Sequence, residues 1–277
     1  MFWELTNQNP KFYDETTGAL LWYKFSDWQA RVISQDYLLA MGEWNIPGHT
    51  WFWRIWYNGA CGTAEETVWN VGGVYVPPTA EMWMEIVSSD AADASAWTWI
   101  RTVLVTYLDD AFTLKTETVT LNWTTPVALT ATDIYRINDM RAATCWTGWA
   151  AAWNIDLRHL SDTPIYQRIW TWYTASRCMF FTVPVSKTFY LTSAVLSSGA
   201  AATWRSVRMT VQSTYDGTTW TVKSFFLPYL EVILQDNTFI RHLELPTKFI
   251  AWSDVKCSIT SPDWATYASA QIKWRLE

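Results

Sequence analysis

Glycine is scarce in this chain. Its 277 residues include only 10 glycines, where average usage of about 7% would supply roughly 19. Positive charge is not in excess either. Twenty Lys and Arg stand against 26 Asp and Glu, for a net charge of −6 and a pI near 5.1. A basic footprint for nucleic acid is therefore missing, and no nucleic-acid partner is expected. No apolar run reaches the roughly 18 residues of a membrane-spanning helix, so no membrane partner is expected. The start, "MFWELTNQNPKFYDE", lacks a basic segment followed by an apolar one, and a secretory signal peptide is not expected.

The chemistry-bearing residues are few and scattered. Cys61, Cys145, Cys178 and Cys257 form no CxxC pair; they read as small buried free thiols, with a disulfide as the alternative. His49, His159 and His242 are widely separated and read as polar strand or loop residues rather than ligands or bases. No GxSxG, HExxH, Walker A, EF-hand or GxGxxG pattern occurs. Asp109-Asp110 and the pair Asp90/Asp93 match the carboxylates of a glycosidase only as well as any Asp-rich turn does. No enzymatic activity and no cofactor are expected. Asn122-Trp123-Thr124 fits the N-glycosylation pattern, and it is discounted for a protein that is not secreted.

Half of the residues are hydrophobic and 17% are charged, enough apolar material for one large or two smaller cores. "FSDWQARVISQDYLLAMG" reads as a helix capped by Ser26 and closed by Gly42. "NVGGVYVPPTAE" has the Gly and Pro density of a linker. Beyond it, "MWMEIVSS", "IRTVLVTYL", "LKTETVTL", "CMFFTVPV", "KTFYLTSAVLSS", "RSVRMTVQSTY" and "DVKCSIT" are β-branched or alternating runs with frequent turn signals. The pattern predicts an all-β protein of two β-sandwich or jelly-roll-like units after an irregular N-terminal arm. The arm covers 1–80, the first sandwich 81–176, and the C-terminal sandwich or jelly roll 177–277.

Tryptophan is the excess that mirrors the glycine deficit, with 22 residues. In "CWTGWAAAWNIDLRHL", Trp146, Trp149 and Trp153 fall at i, i+3 and i+7, the spacing of one helix face, yet the surroundings read as strands and turns. Asn122-Trp123 and Asp263-Trp264 stand where hairpins favour Asn-Gly and Asp-Gly, because the turn requires φ > 0. Trp252 falls at a corner between strands. Trp220 and Trp69 sit in ordinary positions. Two readings stay open. In one, Trp97, Trp99, Trp123, Trp146, Trp149, Trp153, Trp170, Trp172, Trp204, Trp252, Trp264 and Trp274 are glycines encoded by UGA in a system that reads UGA as Gly, and 145–155 is a glycine-rich loop entering a strand. In the other, the rings are real and fill cores or form a platform for sugars or partners.

With those positions read as glycine, the chain resembles a family of virion proteins of tailed bacteriophages. The resemblance rests on "NVGGVYVPPTAEM", "VSSDAADASAWTWIRTVLVTYLD", "ETVTLNWTTPVAL", "TDIYRINDMRA", "WNIDLRHLSDTPIYQRI", "YTASRCMFFTVPVSKTFYLTS" and "ELPTKFIAWSDVKCSITSPDWATYASAQIKWRLE". It spans roughly residues 60 to 277, with a looser match at "IPGH" (46–49). It implies a structural virion protein. The expectation is an accessory protein of the capsid surface, a decoration or head-fibre protein, with a tail-associated or receptor- or glycan-binding sandwich as the alternative. The implied partners are further copies of the chain, most simply as a trimer, and other capsid or tail components. The implied location is the virion, assembled in the host cytoplasm. The family carries no catalytic motif to transfer. The most distinctive polar stretch is "RHLSDTPIYQRI", in which Arg158, His159, Asp162, Tyr166 and Arg168 are candidate subunit or receptor contacts. The plainer reading of the same stretch is an ordinary hydrogen-bonded loop and strand.

Overall fold

The computed structural model describes residues 50–94, 98–199, 206–214, 227–235, 238–262 and 266–276, together with two short strands nearer the start. Those two, β1 (Lys24–Phe25) and β2 (Trp28–Gln29), pair antiparallel with Phe25 opposite Trp28. The helix expected over the segment from Ser26 to Gly42 is therefore corrected at Trp28–Gln29, where the backbone is extended. The remainder of that segment lies outside the described residues. Residues 1–49 and 50–277 form separate compact units.

Among the described residues every regular element is a strand and every pairing is antiparallel. The larger unit starts with β3 (Thr50–Cys61) and β4 (Glu66–Thr67). It continues with β5 (Met84–Ser88), β6 (Ile100–Leu108), β7 (Leu114–Thr120), β8 (Val127–Ala128), β9 (Arg136–Cys145), β10 (Ile155–His159) and β11 (Ile165–Ile169). It ends with β12 (Phe180–Thr182), β13 (Phe189–Gly199), β14 (Val207–Ser213), β15 (Leu227–Leu234), β16 (Thr238–Phe249), β17 (Asp254–Thr260) and β18 (Thr266–Leu276).

Two of the sheets run in the orders β16-β13-β18-β3 and β12-β17-β14-β15. Following the chain through these eight strands, every connection crosses between the sheets except β14 to β15. That is the strand order of an eight-stranded jelly roll. Its core is built from the inward residues of both sheets, including Trp56, Phe189, Leu196, Met209, Val211, Cys257, Ile272 and Trp274.

The other two sheets, β11-β10-β5-β8 and β7-β6-β9, form a second sandwich. It is inserted between the first and second strands of the jelly roll. Its core contains Met84, Ile86, Val103, Val105, Ile137, Met140, Ile155 and Leu157. The β6 sequence IRTVLVTYL shows why it is a strand: Val103, Val105 and Tyr107 are buried on one face, while Thr102, Leu104 and Thr106 alternate with them on the other.

The expected N-terminal arm over 1–80 needs correction from residue 50 onward. β3 pairs along its length with β18, from Thr50 opposite Leu276 to Cys61 opposite Thr266. β4 pairs with β17. Trp69 and Tyr75 enter the core of the inserted sandwich. The aromatic density of "TWFWRIWYNGAC" obscured the alternation that would have marked it as a strand.

β12 joins the two cores. Phe180 points into the inserted sandwich, its ring centroid 4.7 Å from that of Tyr75. Phe181, on the opposite face, packs against Phe189 and Trp274 of the jelly roll at 5.5 and 5.8 Å. The free edge of β12 is closed by a side chain: Asn138 Nδ2 donates to Thr182 O at 2.8 Å, and Thr182 N donates to Asn138 Oδ1 at 2.9 Å. Thr182 Oγ1 donates to Asp254 Oδ1 at 2.6 Å, and Arg136 Nε lies 3.4 Å from the same oxygen. Thr214 Oγ1 accepts the Asp254 N–H at 2.9 Å. Burial raises the Asp254 pKa despite the opposing pull of Arg136 and the Thr182 hydroxyl.

Replacing Asn138 by Ala strands the buried Thr182 N–H and C=O together. At about 1–3 kcal/mol for each orphaned group, Asn138→Ala is expected to lower the unfolding free energy by roughly 2–6 kcal/mol. Urea denaturation of the two proteins measures this, and an unchanged midpoint contradicts the edge-closing role.

Candidate functional site

One end of the inserted sandwich is organised by a single carboxylate. "SSDAAD" leaves β5 through a tight turn: Ser88 Oγ accepts the Asp90 N–H at 3.1 Å, and Asp90 Oδ1 accepts the Ala92 N–H at 2.7 Å. This delivers Asp93 to a fully buried position. Asp93 Oδ1 accepts the N–H groups of Ile100 and Ala152 at 3.3 and 3.0 Å. Its Oδ2 accepts the Ser88 hydroxyl at 3.0 Å and the Trp153 N–H at 3.3 Å. The end of β5, the start of β6 and a loop about 60 residues beyond Asp93 are thus tied to one side chain.

Backbone bonds extend the clasp. Gly148 N donates to Thr98 O, Ala151 N to Tyr173 O at 2.9 Å, and Trp172 N to Ala151 O at 2.9 Å. Residues 146–154 form a loop leading into β10, so the i, i+3, i+7 tryptophans do not share a helix face. The loops gather Trp99, Trp146, Trp149, Trp153 and Trp172 at this end. Trp149 is 84% exposed, and Trp146, Trp153 and Trp172 are also exposed. Trp99 and Trp172 meet edge to face at 5.2 Å. The Arg101 guanidinium lies 4.3 Å from the Trp146 ring. Exposed rings of this kind offer apolar faces for stacking of sugar or peptide groups, although Arg101 covers one face of Trp146.

The five contact residues expected from the sequence are spread along the β10–β11 hairpin. Arg158 Nη2 contacts Glu85 and Asp162, both at 2.8 Å. Arg168 holds Asp156 with two bonds, Nε at 2.5 Å and Nη2 at 2.7 Å. Tyr166 is buried in the sandwich core. His159 Nδ1 lies 2.7 Å from Ser161 Oγ in the turn. The Asp162 side chain is 73% exposed. The hairpin tip therefore presents Asp162, with His159 and Ser161 beside it. Arg158 and Arg168 are engaged in ion pairs across the sheet, and Tyr166 faces inward. Arg168 and Asp156 lie nearer the tryptophan end of the hairpin than the tip does.

The sequence offers Asp93 as a glycosidase carboxylate or as part of an ordinary Asp-rich turn, and the structure places it in the turn that leaves β5, where it accepts four hydrogen bonds from partners that only the fold discloses. Asp109 is likewise engaged, with Lys115 Nζ at 2.9 Å; the same ammonium reaches Asp133 at 2.6 Å.

No disulfide joins the four cysteines. Burial pushes the Cys61 and Cys257 thiols up to about 12 and raises Cys178 further. These thiols pack as small apolar groups and are poor nucleophiles. His242 lies on β16 opposite Ser193, and His49 lies outside the described residues. Among the described residues no group of three or more His, Cys, Asp or Glu side chains is placed to hold a metal ion, and no helix is long and apolar enough to cross a membrane. No protein-family model and no curated protein matches the chain.

Burial raises the Asp93 pKa above its ordinary 3.8, outweighing the N–H and hydroxyl donors that favour the charged form. The folded chain then binds this proton more tightly than the unfolded chain. Its stabilising contribution is fully present below the ordinary value and is lost as pH rises through the raised one. Asp254 adds a slope of the same sign. Asp93→Asn is therefore expected to flatten, without abolishing, the fall in stability with rising pH across the acidic range. Urea midpoints for both proteins at a series of pH values measure the slope, and equal slopes contradict the assignment.

Proposed function

We propose that this chain is a structural protein of a tailed-bacteriophage virion, an accessory protein of the capsid surface that acts by symmetric assembly and without enzymatic activity. The observation that carries the reading is the eight-stranded jelly-roll order with a second sandwich inserted after its first strand. Jelly rolls recur in viral capsid domains, and also in lectin domains and cupins. The argument is one of fold-level analogy, and the sequence resemblance narrows it toward virion proteins. The arrangement suits assembly: the jelly roll supplies a closed two-sheet body, and the insertion adds exposed loops and a hairpin tip, with the turn at Trp170 packed beside Tyr57 of β3 at 6.1 Å.

The partners in this reading are other copies of the chain, in a trimer, and neighbouring capsid or tail proteins. Neither nucleic acid nor membrane is a partner, and no cofactor is required. The protein resides in the virion after assembly in the host cytoplasm. Asp162, His159 and Ser161 at the hairpin tip are the groups best presented to a neighbour, while Arg158, Arg168 and Tyr166 hold the hairpin in shape.

A second reading has its own support. The exposed Trp146, Trp149, Trp153 and Trp172 at the loop end favour a tail-associated or receptor- or glycan-binding protein. In that case the loop end is the working surface.

Peptide mass spectrometry of purified particles, with immunogold labelling, tests the location. Peptides of this chain are expected in intact particles, with label on the head. Label on the tail selects the second reading, and absence from particles overturns both. Light scattering of the purified protein at micromolar concentration is expected to give the mass of a trimer. A monomer contradicts assembly through self-association.

A further inference from the structure

Six non-glycine residues among the described ones have positive φ: Phe112, Trp123, Asp162, Trp172, Ser186 and Trp252. Half of them are tryptophan, which makes up 22 of 277 residues. Asp and Ser have short polar side chains that suit such turns, whereas an indole gains nothing from the left-handed region and crowds its own backbone.

The turns themselves specify the missing residue. Asn122 and Thr125 form a bridge, and Thr125 N donates to Asn122 O at 2.9 Å. The two central residues are therefore Trp123 and Thr124. Trp123 has φ 55°, and Thr124 is not among the positive-φ residues. This is the φ pattern of a type II′ hairpin, whose first central residue is glycine. Tyr173 N donates to Trp170 O at 3.0 Å, placing Trp172, φ 68°, third in its turn. Ser253 N donates to Ile250 O at 3.3 Å, placing Trp252, φ 69°, third in its turn. A positive φ at the third residue, with the second residue (Thr171, Ala251) not positive, marks the type II turn, which favours glycine, or else asparagine, there. In all three turns the indole occupies the position that glycine fills with least strain. All three rings are exposed, so no buried packing offsets the strain.

Trp274 behaves differently, although the sequence groups it with the others. It is 1% exposed, lies in β18, stacks on Trp56 at 5.5 Å and 11°, and touches the rings of Phe181 and Phe189. Glycine there would empty the middle of the jelly-roll core. Trp69 is similarly employed, with Nε1 donating to Gly73 O at 3.0 Å and its ring against Tyr75.

We infer that positions 123, 172 and 252 are glycine in the working protein, their codon UGA being read as glycine where the protein is made, and that Trp56, Trp69 and Trp274 are true tryptophans. Trp146, Trp149 and Trp153 share the exposure without the left-handed backbone and are left unassigned. One consequence is functional. Without an indole at 172 the Trp99 ring loses its edge-to-face partner, and the aromatic shelf at the loop end loses a member. The inference concerns decoding and stands whether or not the protein is a virion component.

Two measurements test it. Peptide masses of the protein isolated from its source are expected to carry glycine at 123, 172 and 252 and tryptophan at 56, 69 and 274. Tryptophan at any of the first three, or glycine at any of the last three, overturns it. In protein produced by a standard host, Trp123→Gly, Trp172→Gly and Trp252→Gly are each expected to raise Tm by about 2–8 °C through relief of backbone strain. The matching Ala variants keep a Cβ at positive φ and are expected to gain less. A Tm lowered by the Gly variants, or raised equally by Ala, overturns the reading of these turns.

Discussion

The carboxamide of Asn138 lies along the open edge of β12 and supplies the pair of bonds that a neighbouring strand would otherwise give. An unpaired sheet edge is a liability, and here it is closed from within by the inserted sandwich. The same short strand sends Phe180 into one core and Phe181 against the other. Asp254 ties Thr182 and Arg136 together beneath it. Much of what positions the insertion relative to the jelly roll passes through these few atoms. The loop end and the hairpin tip inherit their placement from this junction.

The inserted sandwich uses the same device at its far end. Asp93 replaces a strand pairing with side-chain acceptance, gathering N–H groups from β6 and from the loop before β10. In both places a buried polar side chain satisfies backbone groups that the sheets leave over. Such groups must be paired when buried. The loops can then vary in outward character without losing their course.

The sequence disclosed what is local. β6, β7, β13 and β14 announce themselves by alternation and β-branched content, and the class follows from their number. Turn chemistry is local as well, so the neighbours of Trp123 and Trp252 in the sequence suffice to mark both positions as turns or corners. What stayed hidden depends on distant partners. β3 finds β18 more than two hundred residues later, and nothing in "TWFWRIWYNGAC" names that partner. The inserted unit begins at Trp69 rather than after the Gly- and Pro-rich stretch, because Tyr75 within that stretch is a core residue. The roles of Asn138 and Asp93 were illegible for the same reason: their acceptors and donors lie 44 and 59 residues away. At the hairpin, the charges of Arg158 and Arg168 were visible, but their engagement by Glu85 and Asp156 was not.

The interleaving of the two sandwiches also sets an order of events during synthesis. β3 leaves the ribosome some two hundred residues ahead of its partner β18. The inserted sandwich is complete once residues to about 180 have emerged, so it is free to form while β3 still waits. Its closure brings Thr67 and Phe180 near each other, replacing a loop of more than a hundred residues by a compact bridge and lowering the entropic cost of pairing the remaining strands. Until β18 arrives, the aromatic strand β3 stands open, the kind of unpaired hydrophobic segment at which misassembly begins. The insertion thus joins the first two strands of the jelly roll through a compact unit in place of a long open loop.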